Sequence, residues 1–202
     1  MTGNFDLESL RKRLLPENSV LEAEKSEPPI AAVAVVINAN DRGGSILLIK
    51  RTERQGDPWS GQMAFPGGHR SPTDQTFLET VIREAREEVG IRLQEHELLG
   101  MLPIVLTGGR RVRVAPFVFQ LKQDVVVKTN EEVDESFWVP LNELQRMMPV
   151  RTKVHVEEGR LTVDAFIYRD RVIWGLTFRI INTLLNRRTD MDSSERLFFQ
   201  TK

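Results

Sequence analysis

The chain has 202 residues, with 28 Lys+Arg against 29 Asp+Glu, 40% hydrophobic residues and no cysteine. It is too apolar for a disordered chain, and its near-neutral charge exerts no global pull on nucleic acid or anionic membrane. The missing thiols exclude a disulfide framework, a cysteine zinc site and a thiol nucleophile.

The longest purely apolar run, residues 30–37, has eight residues, where a membrane helix needs about 20. The first 25 residues mix acids and bases and lack the apolar stretch of a secretory signal. A cytoplasmic protein that binds neither membrane nor nucleic acid is therefore expected. Residues 6–15 carry Leu7, Leu10 and Leu14 at helical spacing and stop at Pro16, which predicts a short amphipathic helix. A polar stretch closed by Pro28-Pro29 follows as a linker. Residues 31–37 and 46–49 read as two buried strands joined by the turn Asp41-Arg42-Gly43-Gly44. Residues 59–68 are loop-rich, and 77–89 form the clearest helix. Strands are expected at 98–106, 112–121 and 137–139, a short helix at 141–148, a hairpin over 154–167 and a last helix at about 176–186. Interleaved strands and helices suggest a mixed sheet covered by helices. The expected organisation is an N-terminal helix and linker (1–29), one α/β domain (30–188) and a tail (189–202).

On the 77–89 helix, Leu78, Val81, Ile82, Ala85 and Val89 fall on one arc that must face the core. Glu84, Glu87 and Glu88 fall on another, because spacings of three and four share a face. Like charges so placed destabilise a helix by about 0.2–0.5 kcal/mol a pair. Arg83 reaches Glu87 across one turn, yet one guanidinium does not neutralise three acids. A hard divalent cation is the natural complement of carboxylate oxygens; a plain solvated face is the competing reading. Two neighbours favour the cation. Gly90 caps the helix, and Pro66-Gly67-Gly68 upstream leaves backbone open to a metal or phosphate.

The string Arg83-Glu84-Ala85-Arg86-Glu87-Glu88-Val89-Gly90-Ile91, preceded by Gly67-Gly68, resembles the signature box of the Nudix hydrolases. The resemblance implies an α/β/α sandwich with a mixed β-sheet, and hydrolysis of a nucleoside diphosphate linked to another group. It implies Glu84 and Glu88 as main ligands of Mg²⁺ or Mn²⁺, with Glu87 and the Gly67 carbonyl as further ligands and Arg83 orienting the glutamates. Gly61-Gln62-Met63-Ala64-Phe65-Pro66-Gly67-Gly68, Pro116-Phe117-Val118 and Ile173-Trp174-Gly175-Leu176-Thr177 are similar to the coenzyme A pyrophosphatase branch. There the products would be 3′,5′-ADP and 4′-phosphopantetheine. ADP-ribose, dinucleoside polyphosphates and (deoxy)nucleoside triphosphates are the alternative substrates, and a nucleotide-binding module without turnover is the alternative class.

Two departures stand out. The box's supporting Glu falls on Gln75, beside Asp74, with one extra residue between Gly68 and Arg83; Asp74 is expected to cap the helix. The branch's Leu-Arg-x-His is Gly56-Asp57-Pro58-Trp59 here. Related enzymes draw the general base from the box or from a later loop, so Glu87 and an acid of 131–135, with Glu135 preferred, are the candidates. Gly68 and His69 are candidates for phosphate contact, Arg110 and Arg111 for a second phosphate, and Trp59 for stacking on a base. Trp174 reads as core packing. A homodimer exchanging the N-terminal helix is compatible with the sequence.

Overall fold

A computed structural model describes residues 5–16, 19, 30–39, 43–57, 59–107, 112–156 and 159–187. The first strand sets the architecture. β1 (Ala31–Asn38) is buried on both faces for seven of its eight residues, as a near-continuous apolar run demands of a central strand. It pairs antiparallel with β2 (Ser45–Arg51) and with β4 (Gly67–His69), and parallel with β7 (Arg113–Gln120). β3 (Met63–Ala64) and β8 (Val133–Pro140) add to β2, while β5 (Glu97–Met101) and β6 (Val105–Leu106) add to β7. The result is one mixed sheet of eight strands.

Alternation along β1 divides the core. Ala32, Ala34 and Val36 face α2 (Phe77–Val89), which contributes Phe77, Val81, Ala85 and Val89. Val33, Val35 and Ile37 face the opposite layer, formed by Phe178, Ile181 and Leu184 of α4 (Gly175–Leu184) and Leu10 of α1 (Leu7–Arg11). Each fully buried aliphatic or aromatic side chain contributes about 1.5–3 kcal/mol, so two helix layers on one sheet hold a substantial core. The expected α/β/α sandwich is present. A second sheet of three strands, β9 (Val150–Val156), β10 (Gly159–Tyr168) and β11 (Arg171–Ile173), follows the short helix α3 (Leu141–Arg146).

Several boundaries depart from the sequence expectation; β9 begins at Val150, four residues before the expected hairpin, and β3 and β4 form within the stretch expected as loop. The strand expected over 98–106 is two strands, β5 and β6, interrupted at Pro103, which has no N–H for a ladder. β8 begins four residues before the expected start, because its acidic first half pairs with Lys50 and Arg51 at the sheet edge. The helix expected over 6–15 ends at Arg11, after which Leu15 bridges Met101. α1 also docks on its own chain. Leu10 is fully buried, Arg11 donates to both carboxylate oxygens of Glu97 at 2.8 and 2.9 Å, and Arg13 donates to the Thr183 and Leu184 carbonyls at the end of α4.

Candidate active site

α2 starts and stops as its sequence dictates. The Thr76 hydroxyl accepts the Glu79 N–H at 3.1 Å, and Glu79 in turn accepts the Gln75 N–H. Gly90, at φ 71°, ends the helix in the left-handed region. Between these caps the helix turns its glutamates toward β4. Asp74 is not the cap: its carboxylate accepts two hydrogen bonds from Arg83, Nε at 3.1 Å and Nη2 at 2.9 Å. Asp74 thus pairs with Arg83 beside the position where the box carries its supporting Glu. The Arg83 guanidinium, helped by the Ser71 N–H, outweighs burial and holds Asp74 at a pKa of about 2.

Arg83 is engaged on every nitrogen. Nη1 donates to Glu84 at 2.8 Å and to Glu87 at 3.1 Å, and Nη2 also reaches the His69 carbonyl at 3.3 Å. Arg83 thus ties Glu84 and Glu87 to Asp74 through one guanidinium. Glu84 is mostly buried and Glu87 exposed, while the Glu88 side chain is 2% exposed and accepts the Gly67 N–H at 2.8 Å. Burial pushes the Glu88 carboxyl up to about 8, with Glu84 adding repulsion while the Gly67 N–H and Arg51 oppose it. Burial likewise raises Glu84.

β4 has room for main chain only. A Cβ on Gly67 would lie 2.3 Å from the Ala32 carbonyl, and one on Gly68 would lie 2.5 Å from a Glu84 oxygen. The sequence placed open backbone here, and the packing requires it. Glu84, Glu88 and the Gly67–Gly68 backbone thus come together, with Glu87 one turn away on the solvent side. All of these donors are hard oxygens, and Glu88 is a buried carboxylate short of a counter-charge, so the set fits a divalent cation. Among the described residues no three acidic or histidine side chains already form a closed ligand cluster; the oxygens are committed to Arg83 and to the Gly67 N–H.

The loop acids separate by face. Glu135 sits opposite Lys50 on β8 and binds Arg171, whose guanidinium also lies 4.9 Å from the Phe137 ring. Phe137 packs on the α4 side of the sheet, and Glu135, two residues before it, shares that face. The structure does not bring Glu135 to the α2 glutamates. Glu132 is the acid of this loop that adds negative charge near both Glu84 and Glu88. Arg54 lies 3.5 Å from its carboxylate, and its own carbonyl accepts the Thr52 N–H. The sequence analysis named only the loop around it.

On the other side of β4 lies a cavity of about 220 Å³, lined by Gly67, Gly68, His69, Trp59, Trp174, Phe65, Val33, Val112, Leu176 and others. Trp59 and His69 stand at its rim with ring centroids 6.0 Å apart. Trp174, expected in the core, packs partly buried against Val154, Leu161 and Val163 and also lines this cavity. Arg51 and Asp57 form an ion pair at 2.9 Å within it, and sequence reasoning missed both. The only available signal for Asp57 was its standing where the branch carries a basic pair. Arg110 and Arg111 lie outside the described residues; their neighbours Thr107 and Val112 line the cavity. No helix among the described residues is long and apolar enough to cross a membrane.

The NUDIX domain profile matches residues 28–162. The chain is 35% identical to an uncharacterized Nudix hydrolase NudL of Pectobacterium atrosepticum, over 71% of this chain and 76% of that protein. It is 32% identical to the NudL of Yersinia pestis, over 91% of this chain and 95% of the relative. The crystal structure of a MutT/nudix family protein from Enterococcus faecalis shares the fold, with a TM-score of 0.50 and 20% identity over 97% of this chain and 73% of that one. On the profile match and these relatives, the chain belongs to the Nudix hydrolases. Members hydrolyse nucleoside diphosphate derivatives and generally work with divalent metal ions.

Proposed function

We propose that the chain is a Mg²⁺- or Mn²⁺-dependent pyrophosphohydrolase whose first substrate is coenzyme A or an acyl-CoA, cleaved to 3′,5′-ADP and 4′-phosphopantetheine. The observation that carries this is the strand β4, with carboxylates of α2 on one side and a largely apolar cavity on the other. A diphosphate held along Gly67 and Gly68 has one organic arm directed into that cavity. The sequence likeness of residues 61–68 and 173–177 to the coenzyme A branch supports the choice of arm.

Glu84 and Glu88, with Glu87 and the Gly67 carbonyl, would hold the metal. When bound, it neutralises phosphate charge and lowers the pKa of a ligated water. The remaining work falls to the chain itself. Arg83 keeps Glu84 and Glu87 oriented, and Asp74 keeps Arg83 in place. Glu87, exposed on α2, and Glu132, whose charge acts on Glu84 and Glu88, are the carboxylates we favour to take a proton from the attacking water. Gly68 and His69 line the path between the carboxylates and the cavity, and Trp59 offers a stacking surface at its rim.

A second reading rests on Asp57. An acid in the cavity, where the coenzyme A branch carries Arg and His, favours a substrate arm without a terminal phosphate, such as ADP-ribose or a dinucleoside polyphosphate. Hydrolysis of a substrate panel in Mg²⁺ and in Mn²⁺, with products separated by chromatography, decides between the two. Release of 3′,5′-ADP from coenzyme A at the highest kcat/KM supports the first. Tight nucleotide binding with no hydrolysis at saturating metal would reduce the chain to a binding module.

A further inference from the structure

Arg51 carries five N–H donors, and the structure uses one of them, from Nη2 to Asp57 at 2.9 Å. Its Nε is buried without a partner. Its Nη1 stands 3.9 Å from Glu88, an electrostatic contact too long for a hydrogen bond. Arg83, one strand away in space, spends all three nitrogens on the protein. A guanidinium at the edge of an active site with donors its own fold does not use calls for an outside acceptor, a water, an ion or a ligand oxygen, and its place beside the cavity favours the ligand.

The surroundings say which ligand. Arg51 closes β2 where the register against β8 shifts, an irregularity of the kind that re-aims a side chain beside a site. It lines the cavity together with Gly67 and Gly68, the two residues that also meet the α2 carboxylates. Asp57 is anchored by the Trp59 N–H at 3.0 Å and fixes the orientation of the Arg51 fork. The remaining N–H groups on the part-exposed Nη atoms suit phosphate oxygens, which a guanidinium meets with more than one directed donor and a lysine does not. We propose that Arg51 is the residue that binds the substrate phosphate nearest the cavity, and that Asp57 is its positioning residue. This rests on the pyrophosphohydrolase reading only in naming phosphate as the anion that arrives.

Calorimetric titrations of ADP, adenosine and Mn²⁺ into the wild type, Arg51→Ala, Arg51→Lys and Asp57→Asn test it, with kcat and KM measured alongside. Arg51→Ala should weaken ADP by about tenfold to a hundredfold, the worth of a charge-assisted hydrogen bond pair. Adenosine should stay within about twofold, and Mn²⁺ should bind no more weakly, since a positive charge beside Glu88 has been removed. Arg51→Lys should recover part of the loss, and Asp57→Asn should raise KM by less than Arg51→Ala does while leaving kcat unchanged. Unchanged ADP affinity in Arg51→Ala, or equal losses for ADP, adenosine and Mn²⁺, overturns the proposal. If the alanine variant does not fold, Arg51→Lys decides: it must weaken ADP more than adenosine. A wild type that hydrolyses no nucleoside diphosphate derivative defeats the pyrophosphohydrolase reading instead, and the ADP titration still scores Arg51.

Discussion

Arg83 and Arg51 both approach the α2 glutamates and show two uses of the same side chain. Arg83 is saturated by Asp74, Glu84, Glu87 and the His69 carbonyl. It has no donor to spare, and its work is to hold acids in place against their mutual repulsion. Arg51 has one hydrogen bond and a cavity beside it. One guanidinium is therefore completed within the fold, while the other, between Glu88 and the cavity, keeps donors that the fold does not use.

The sharpest way to break this contrast is at Glu88. Glu88→Gln removes the charge and keeps the Gly67 contact, so kcat should fall by about 10²–10³-fold while the thermal midpoint holds or rises. Near-wild-type turnover would end the metal-site argument. Next comes Arg83→Ala, which strands the Asp74 carboxylate, 6% exposed, without its partner. Urea unfolding should show a loss of about 3 kcal/mol, the cost of leaving a buried charge unpaired; an unchanged midpoint would show that Arg83 braces nothing.

pH separates the two carboxylate types. Glu88 has a folded pKa of about 8 against an ordinary 4.5, so the folded state keeps a proton that the unfolded state has released. Between those values the metal-free protein should lose stability as pH rises, and Glu84, shifted in the same direction, adds to the slope. Asp74 behaves oppositely: its contribution is complete above the ordinary 3.8 and is lost as pH falls through about 2. Urea midpoints across this range, in chelator and in Mg²⁺, check both slopes; the alkaline decline should flatten with metal.

The smallest expected effects lie on the loop. Glu132→Gln should lower kcat at least about tenfold. Glu135→Gln should leave kcat within a factor of about two and cost no more than about 1 kcal/mol, as befits a part-exposed pair with Arg171. Reversal of that order would return Glu135 to the reaction.

The order of these residues in the chain made the α2 face legible. Helical spacing placed Glu84, Glu87 and Glu88 together, and two glycines marked open backbone beneath them, in a stretch expected as loop that forms β4. The apolar run of β1 likewise announced a strand covered on both sides. What the sequence hid was settled by contacts between distant segments. Asp74 looked like a cap because it precedes a helix, and only Thr76 taking that place freed it for Arg83. Glu135 and Glu132 are three residues apart on one acidic loop, and the face each takes depends on how β8 meets β2. Arg51 gave no motif at all, since an arginine at the end of a strand is ordinary until Asp57 and the cavity stand beside it.

The narrowness of β4 has a consequence for how this protein tolerates change. With a single thickness of bare main chain dividing the two compartments, remodelling Trp59, Trp174 or Val112 alters what is gripped and leaves the carboxylates undisturbed. The same seam makes positions 67 and 68 intolerant, because a methyl group at 67 collides with the β1 backbone at Ala32 and Val33, and one at 68 collides with the Glu84 carboxylate. Preference for the organic arm is thus adjustable by a handful of wall substitutions, whereas the bond-breaking apparatus behind it is all or nothing.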